Sequence, residues 1–450
     1  MPPFESGPRP RLNLYAVLGG FALIAVLAQW PLLLNPGYFS HDELQWAGRA
    51  DLPLGSLAWL SWADWHTFQF RPLTFNLWLL LSHALFATPR AFHAVWVVLG
   101  VGNALLLLRL MLRSTIAPPV ALLFALGFVL GPYAIFTQGW VATLADLLWV
   151  GCGLLIAQLL CWADGESSRR WTACVGVFAL TSLALLAKES AIVLPALIVL
   201  AWALFGRSRL LRDAVIAAAL PVVAYLGLRL NVILFSPREG DVYAWSAWSV
   251  PRQWLMYQLF PLLPSVSEIR STAAVSSRHL WYAMLFWLVL AGVTLRADRR
   301  AGCLLLVGGA IALGPVLLLE IPSDQYGYGF AAITMFALAW VWPALGRTGK
   351  SLAVLFVLIG VWHGVNIQRE LLHDGQRQAR FSPALAQAIA KATLLPVRIR
   401  LPDGDAWLYQ RLTHDIPSYE HVPIGDRVRL VGQGETADYV IQPDGSLGTP

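Results

Sequence analysis

Long apolar segments recur along most of the chain, and they are the feature that most limits what it can fold into. The first runs from Leu12 to Leu34, which is long enough to cross about 30 Å of hydrocarbon. Only 13% of the 450 residues are charged, against roughly 25% in an average soluble domain. The sequence therefore predicts an all-α polytopic membrane protein.

The basic residues between the apolar segments set the predicted topology. Lys and Arg concentrate in cytoplasmic loops, and Arg9 and Arg11 precede the first segment, so we expect the N-terminus inside and a retained first helix. Arg109 and Arg113 fall inside only if the short run 72–88 lies in the interface. About eleven crossings follow, with an outside C-terminus, near 12–34, 92–112, 117–137, 141–162, 171–187, 190–206, 214–235, 279–295, 302–320, 329–346 and 351–368.

The carboxylates give an independent check of this topology. A charge at the centre of a bilayer is costly, and most acids here fall in loops that the topology places outside, or at the outer ends of segments. Asp164, Glu166, Asp213 and Asp298 are the cytoplasmic exceptions. We therefore expect one outward-facing polar cavity. The acids expected on the outer side are Asp42, Glu43, Asp51, Asp64, Asp146, Glu189, Glu239, Asp241, Glu268, Glu320 and Asp324.

The chain divides into a membrane domain and a tail. We expect the membrane domain to cover residues 1–368, with a first outer loop and interfacial helix at 35–91 and a second outer loop at 236–278. The tail, 369–450, begins with a polar helix-like stretch. Short alternating segments separated by Gly-rich turns follow, which predicts a small outer domain that is α+β or β-rich.

Charge and metal-ligand patterns exclude several classes of function. The net charge of +6 does not indicate a nucleic-acid partner, because the basic residues lie in short clusters between apolar segments. The four cysteines all lie in apolar segments, and the histidines lack zinc-ligand spacing such as H-E-x-x-H. We predict no metal and no cofactor, with a divalent cation at the outer acids left open.

The stretch Gly37–Leu44 follows the first apolar segment and contains the adjacent carboxylates Asp42 and Glu43. We call it the acidic motif. Neighbouring residues of an extended segment point to opposite sides, so we expect only one of the two acids to act. A solvated pair of loop acids is the structural alternative.

Five pieces of sequence occur in an order that resembles the GT-C membrane glycosyltransferase superfamily. The acidic motif is followed by "FRPLTFNLWLLLSHALFATPRAFHAVWVVLGVGNALLLLRLM", "GWVATLADLLWVGCGLL", "LLAKESAIVLPALIVLAW" and "EIPSDQYGYGFAAITMFALAW". The resemblance covers roughly residues 12–346. It is nearest to the protein O-mannosyltransferase-like branch and to the family whose eukaryotic members carry tetratricopeptide repeats. Gln325 departs from the late E-R-Y-x-Y pattern, and the tail has no such repeat.

The resemblance implies transfer of a sugar, of the hexosyl or mannosyl type, from a polyprenyl-phosphate donor to an acceptor at the outer face, with inversion. Asp42 is the first choice for the general base and Glu43 the second. The family's second acidic position matches Asp146, which could hold the acceptor, orient the acidic motif, help bind a metal or fix helix packing.

The same resemblance suggests how the donor is held. Lys188 would contact the lipid phosphate, while Glu189 pairs with Lys188 or Arg229. Arg229 is a phosphate clamp or a snorkelling side chain. Arg71 is a further donor contact or an interfacial anchor. The remaining donor-site candidates, with belt tyrosines as their structural alternative, are Gln325, Tyr326 and Tyr328.

Three other functions compete with this one. A flippase or transporter of lipid-linked sugars would call for inverted repeats and broken spans at corresponding positions. A ligase or polymerase acting on polyprenyl carriers would call for a large basic outer loop between late spans. A non-catalytic GT-C scaffold stays open because of Gln325. The Ala-, Leu- and Arg-rich composition favours a bacterial cell membrane, and the acceptor could be a protein, a lipid or a glycan.

Overall fold

The structure is a computed structural model of the chain and describes residues 14–50, 53, 66, 69–235, 244–402 and 406–450. Four of the acids expected on the outer side lie outside these residues, namely Asp51, Asp64, Glu239 and Asp241.

Helices account for most of the described chain. The first ten are α1 (Leu14–Leu27), α2 (Trp30–Leu33), α3 (His41–Ala50), α4 (Pro72–Leu85), α5 (Pro89–Arg113), α6 (Pro118–Val129), α7 (Pro132–Gly139), α8 (Leu144–Ala163), α9 (Arg170–Ala187) and α10 (Leu194–Phe205). The others are α11 (Arg209–Phe235), α12 (Val250–Leu259), α13 (Ser277–Ala297), α14 (Arg299–Cys303), α15 (Gly309–Leu313), α16 (Tyr328–Val341), α17 (Arg347–Lys391) and α18 (Ala406–Thr413).

Each of the predicted crossings overlaps an apolar helix. Among the described residues, eight helical segments are long and apolar enough to cross a membrane. The bent pair α6 and α7 would make a ninth, and two shorter apolar helices cover Leu14–Leu27 and Glu189–Phe205. The prediction of a helical, polytopic membrane protein is therefore confirmed, while the count of eleven crossings stays a prediction.

A proline explains why α6 and α7 form a bent pair. The two helices meet at 50°, and Pro132 starts α7, where its missing N–H and its ring prevent α6 from continuing. The side chain of Gln138 donates hydrogen bonds to the oxygens of Val129 (3.1 Å) and Ala134 (2.9 Å). These bonds satisfy carbonyls near the break, which is required where no water is available.

Helix α4 is too short to be counted among the candidate spans. Its 14 residues extend about 21 Å. Trp46 of α3 packs on Phe75 and Trp78 of α4, with ring centroids 5.3 and 4.5 Å apart. Thr74 donates a hydrogen bond to the oxygen of Ala187 at the end of α9 (2.8 Å). Helix α4 therefore joins α3, the helix that the acidic motif begins, to the end of α9.

The last part of the chain contains the small strand region that the alternating pattern predicts. Helix α17 runs unbroken from Arg347 to Lys391 and leads into a sheet with the order β4-β1-β5-β6. Strand β1 pairs in parallel with β4 and β5, and β5 pairs antiparallel with β6. The strands are β1 (Val397–Arg400), β2 (Ser418–Tyr419), β3 (Val422–Pro423), β4 (Val428–Val431), β5 (Tyr439–Ile441) and β6 (Leu447–Gly448), with β2 and β3 forming a separate pair.

We predict that Gly364→Ala destabilises the bundle. A Cβ at Gly364 would overlap the backbone oxygen of Leu130, and this backbone can move aside only together with its helix. Overpacking of this kind typically costs about 1–3 kcal/mol. The matched control is Gly292→Ala in α13, where a Cβ meets nothing within 4 Å. Thermal unfolding in detergent should show a lower midpoint for Gly364→Ala only, and equal midpoints would contradict the packing.

Candidate active site

The acidic motif begins α3 with a capping box. Ser40 immediately precedes the helix, and its Oγ accepts a hydrogen bond from the backbone N–H of Asp42 (3.4 Å). The Oε2 atom of Glu43 accepts from the backbone N–H of Ser40 (3.1 Å) and of Phe39 (2.9 Å). This is the S-x-x-E pattern, in which the two side chains satisfy the free amides of a helix start.

Glu43 also ties the acidic motif to the segment that precedes α8. Its second oxygen, Oε1, accepts from the backbone N–H of Val141 (3.0 Å), and the side chain is buried. Burial raises the pKa of Glu43 to about 8, against the hydrogen bonds from Phe39, Val141 and Ser40, which lower it. Both carboxylate oxygens therefore face backbone amides, an arrangement that suits a structural clamp better than a proton acceptor.

Asp42 lies beside Glu43 and is accessible. Its side chain is 35% exposed. Its Oδ1 is 3.3 Å from His41 Nε2, and its Oδ2 accepts a hydrogen bond from Ser40 Oγ at 3.3 Å. Burial lowers the pKa of His41, although Asp42 opposes that shift. Of the two predicted acids, Asp42 is the one that a substrate could reach.

The start of the acidic motif is fixed to α5 and α17. The N–H of Tyr38 donates to Gln378 Oε1 of α17 (2.9 Å), and His93 Nε2 of α5 lies 2.9 Å from the oxygen of Gly37. A Cβ at Gly37 would overlap the oxygen of Gly375 and the side chain of Gln378, so only glycine fits there. The motif therefore sits on a rigid support.

A second group of charges centres on Asp146 in α8. Lys188 Nζ lies 2.6 Å from both carboxylate oxygens of Asp146, and Trp149 Nε1 donates to Oδ1 at 3.3 Å. The side chains of Asp146 and Lys188 are 3% and 2% exposed. The Lys188 ammonium also lies 4.4 Å from the centroid of the Tyr326 ring. Three predicted site residues, Asp146, Lys188 and Tyr326, are thus in direct contact.

Arg71 and Glu189 form a second ion pair beside the first. Arg71 Nε donates to Glu189 Oε2 at 2.8 Å, and Arg71 Nη2 contacts Oε1, so the pair is bidentate. Glu189 thus pairs with Arg71, while Lys188 pairs with Asp146. The sequence predicts Lys188 or Arg229 as the partner of Glu189, whereas the structure pairs Glu189 with Arg71, because the start of α4 lies against the end of α9.

The remaining predicted residues are buried nearby in different ways. Arg229 of α11 is 1% exposed, with its guanidinium 5.3 Å from the centroid of Phe70. Gln325 Oε1 accepts from Ser323 Oγ at 2.7 Å. The hydroxyl of Tyr328 accepts from Asn103 Nδ2 at 3.2 Å, deep in the core. Tyr328 is thus buried within the bundle, and its part in donor binding stays a prediction.

One residue that contacts the acidic motif, Arg411 of α18, was not predicted as a site residue from the sequence. Arg411 in turn lies near Trp407 and Glu268, and Glu268 pairs with Arg270. No local pattern marks these residues, since only tertiary folding brings the tail to residue 40. The capping box, by contrast, is visible in the sequence as Ser40-x-x-Glu43. No group of three or more His, Cys, Asp or Glu side chains within the described ranges is placed to hold a metal ion.

The fold matches solved membrane proteins. The chain is similar to ArnT from Cupriavidus metallidurans, crystallised in the apo state, with a TM-score of 0.52 and 14% identity over 94% of this chain and 87% of that one. The chain therefore shares its overall fold with ArnT. It also resembles the arabinofuranosyltransferase AftD from Mycobacteria, with a TM-score of 0.48 and 16% identity over 87% of this chain and 30% of AftD. No protein-family model and no curated protein matches the sequence.

We predict a pH-dependent stability difference between the wild type and Glu43→Gln. Because burial raises the pKa of Glu43 to about 8, the folded chain keeps a proton that the unfolded chain releases above its ordinary value. Wild-type stability therefore falls as pH rises between these values, by about 1.4 kcal/mol per pH unit. The glutamine variant lacks this contribution, and other titrating groups cancel in the comparison. Denaturant unfolding measured across the pH range should show the stability of Glu43→Gln rising relative to that of the wild type as pH increases. A difference in unfolding free energy that does not change with pH would contradict a raised pKa.

We also predict that Asp146 and Lys188 are strongly coupled. Asp146→Asn leaves a buried ammonium without its counter-charge, and Lys188→Met leaves a buried carboxylate; each should cost about 3–5 kcal/mol. The double variant should cost much less than the sum, because no unpaired charge remains. A double-mutant cycle in unfolding free energy measures this coupling. Additive costs would mean that the two side chains act independently.

Proposed function

We propose that the protein is an inverting glycosyltransferase that moves a sugar from a polyprenyl-phosphate donor to an acceptor hydroxyl at the outer membrane face. The acceptor oxygen attacks the anomeric carbon, the bond from that carbon to the phosphate oxygen breaks, and polyprenyl phosphate leaves. The Asp42 carboxylate takes the proton of the acceptor hydroxyl.

The observation that carries this proposal is the division of roles within the acidic motif of a GT-C fold. Glu43 is buried, and both of its side-chain oxygens accept hydrogen bonds from backbone amides, while the side chain of Asp42 beside it is 35% exposed. A general base must be reachable by substrate and must be held in one geometry. Asp42 meets both conditions, because the capping box and the contacts to α5 and α17 fix the segment that carries it.

A lipid-phosphate donor suits the surroundings of Arg71. The side chain lies at the start of α4, next to an apolar groove of about 370 Å³ between α4 and α9. Arg71 immediately precedes Pro72, the first residue of the groove lining, so a lipid chain in the groove could have its anionic headgroup near the guanidinium. The groove is lined by Pro72, Leu73, Asn76, Leu77, Leu80 and Leu186.

The charges near this groove favour an anion. In this proposal Arg71, Lys188 and Arg229 are the cations of the donor site, and the carboxylates of Glu189 and Asp146 hold Arg71 and Lys188 in place. These cations would stabilise the phosphate that leaves. In this proposal Tyr326, which contacts Lys188, completes the donor side, with Gln325 next to it.

The wider arrangement follows from the same proposal. The N-terminus is cytoplasmic and the C-terminus outside, with residues 1–368 forming the transferase domain and 369–450 an outer domain. A bacterial cell membrane is the proposed location. The acceptor is a protein, lipid or glycan with a free hydroxyl, and no metal is assigned a role.

We predict that Asp42→Asn abolishes transfer while donor binding survives. General-base catalysis contributes about 10²–10⁴-fold, so kcat should fall by that factor. The measurement is transfer of labelled sugar from a panel of polyprenyl-phosphate sugars, using purified protein in lipid and a membrane extract as acceptor. Asp444→Asn, an exposed change in the tail, is the matched control.

The controls separate the alternatives. Normal sugar transfer by Asp42→Asn would show that Asp42 is not the general base, and no other residue would then be proposed for that role. Donor binding without transfer by the wild type on every acceptor would overturn the enzymatic proposal. That result would favour a flippase or a non-catalytic scaffold, and lipid scrambling in vesicles would distinguish these two.

A further inference from the structure

A side chain from the C-terminal part of the chain reaches the acidic motif. Arg411 of α18 donates a hydrogen bond from Nη2 to Ser40 Oγ at 2.9 Å. The Ser40 hydroxyl in turn donates to Asp42 Oδ2 at 3.3 Å. A hydroxyl has one donor and two acceptor positions, so it can accept from Arg411 and donate to Asp42 at the same time. Two consecutive hydrogen bonds therefore connect Arg411 with the accessible carboxylate.

Arg411 also packs on the two segments that Glu43 joins. Its guanidinium lies 5.6 Å from the ring centroid of Phe39 and 5.9 Å from that of Trp140, with Trp407 of its own helix at 4.8 Å. Phe39 donates its backbone N–H to Glu43, and Trp140 precedes Val141, which does the same. Cation–π contacts of this kind are attractive within about 6 Å. Arg411 and Glu43 thus hold the same pair of segments.

Glu268 also lies near Arg411, but its contact with Arg411 is longer than the hydrogen bond from Arg411 to Ser40. Glu268 Oε1 is 3.9 Å from Arg411 Nη1, whereas Arg270 contacts Glu268 much more closely. The Arg411 side chain is only 18% exposed, so its position is fixed by contacts rather than by solvent. The hydrogen bond to Ser40 is accordingly its shortest polar contact among the described residues.

We infer that Arg411 is a positioning residue for Asp42, acting through the hydroxyl of Ser40, so that the C-terminal region completes the active site. This inference rests on the proposed function, in which Asp42 is the base. The bond from Arg411 fixes the rotamer of Ser40, and Ser40 then holds one carboxylate oxygen of Asp42. The other oxygen, Oδ1, lies 3.3 Å from His41 Nε2 and has a second lone pair that can receive the proton of the acceptor.

Loss of Arg411 alone should leave the tail in place. Helix α18 is also anchored by Tyr409, whose ring lies 5.0 Å from that of Phe381 in α17, and Leu408 and Leu412 are buried. A substitution at Arg411 therefore removes the contact to the acidic motif and keeps the packing of the tail. This separation makes the role testable by single changes.

The experiment is a kinetic double-mutant cycle with Arg411→Gln and Ser40→Ala in the sugar-transfer assay. Each change should lower kcat by about tenfold to a hundredfold, because small displacements of a catalytic group are costly, and KM for the donor should stay the same. The double variant should be no slower than the slower single variant. Arg411→Lys, which keeps a donor, should be intermediate, and Arg429→Gln on β4 should match the wild type.

A second measurement does not need activity. Hydrogen–deuterium exchange of the peptide spanning residues 38–50 should be several-fold faster in Arg411→Gln than in the wild type or Arg429→Gln. Unchanged exchange, unchanged kcat, or multiplicative effects in the cycle would each overturn the inference. If the wild type binds donor and transfers nothing, the proposed function fails, and the exchange measurement still decides whether Arg411 holds the acidic motif.

Discussion

The arrangement of the site depends on the hydrogen bonds that the buried side chain of Glu43 accepts. This side chain receives the backbone amides of Phe39, Ser40 and Val141, which come from two segments about a hundred residues apart in sequence. Buried amides without partners are costly, and a buried carboxyl group without hydrogen-bond partners is costly as well, so each side requires the other. These hydrogen bonds fix the backbone that carries Asp42, although the Asp42 side chain takes no part in them.

The charged side chains around Asp146 are also stabilised by pairing. Asp146 and Lys188 could not be buried singly, and Arg71 with Glu189 forms a bidentate pair beside them. The two pairs are linked through the chain, since Lys188 and Glu189 are consecutive. A break between α9 and α10 therefore presents one cation towards α8 and one carboxylate towards α4. This geometry places charge next to an apolar groove without leaving an isolated ion in it.

The parts of the structure that the sequence predicted are those governed by composition and local pattern. Apolar runs and basic loops located the helices, and alternation found β1 and β4, because hydropathy and period act over neighbouring residues. The capping box of Ser40 and Glu43 obeys the same local rule, but the prediction from sequence considered the two acids only as catalytic groups or as solvated loop acids and did not identify it. Partners such as Arg71 for Glu189, or Arg411 for Ser40, depend on which helices meet in space, and no local pattern encodes that.

The acidic motif illustrates why two adjacent acids can have opposite roles. On the first turn of a helix the third residue points back to the amides of the helix start, and the second points outward. Glu43 is in the third position and Asp42 in the second, so the capping box itself decides which acid is buried and which is exposed. Arg411 then contacts Ser40 through the serine hydroxyl, which Glu43 does not use. The same four residues that start α3 therefore provide a structural acid, an accessible acid and the hydroxyl that connects the accessible acid to the tail.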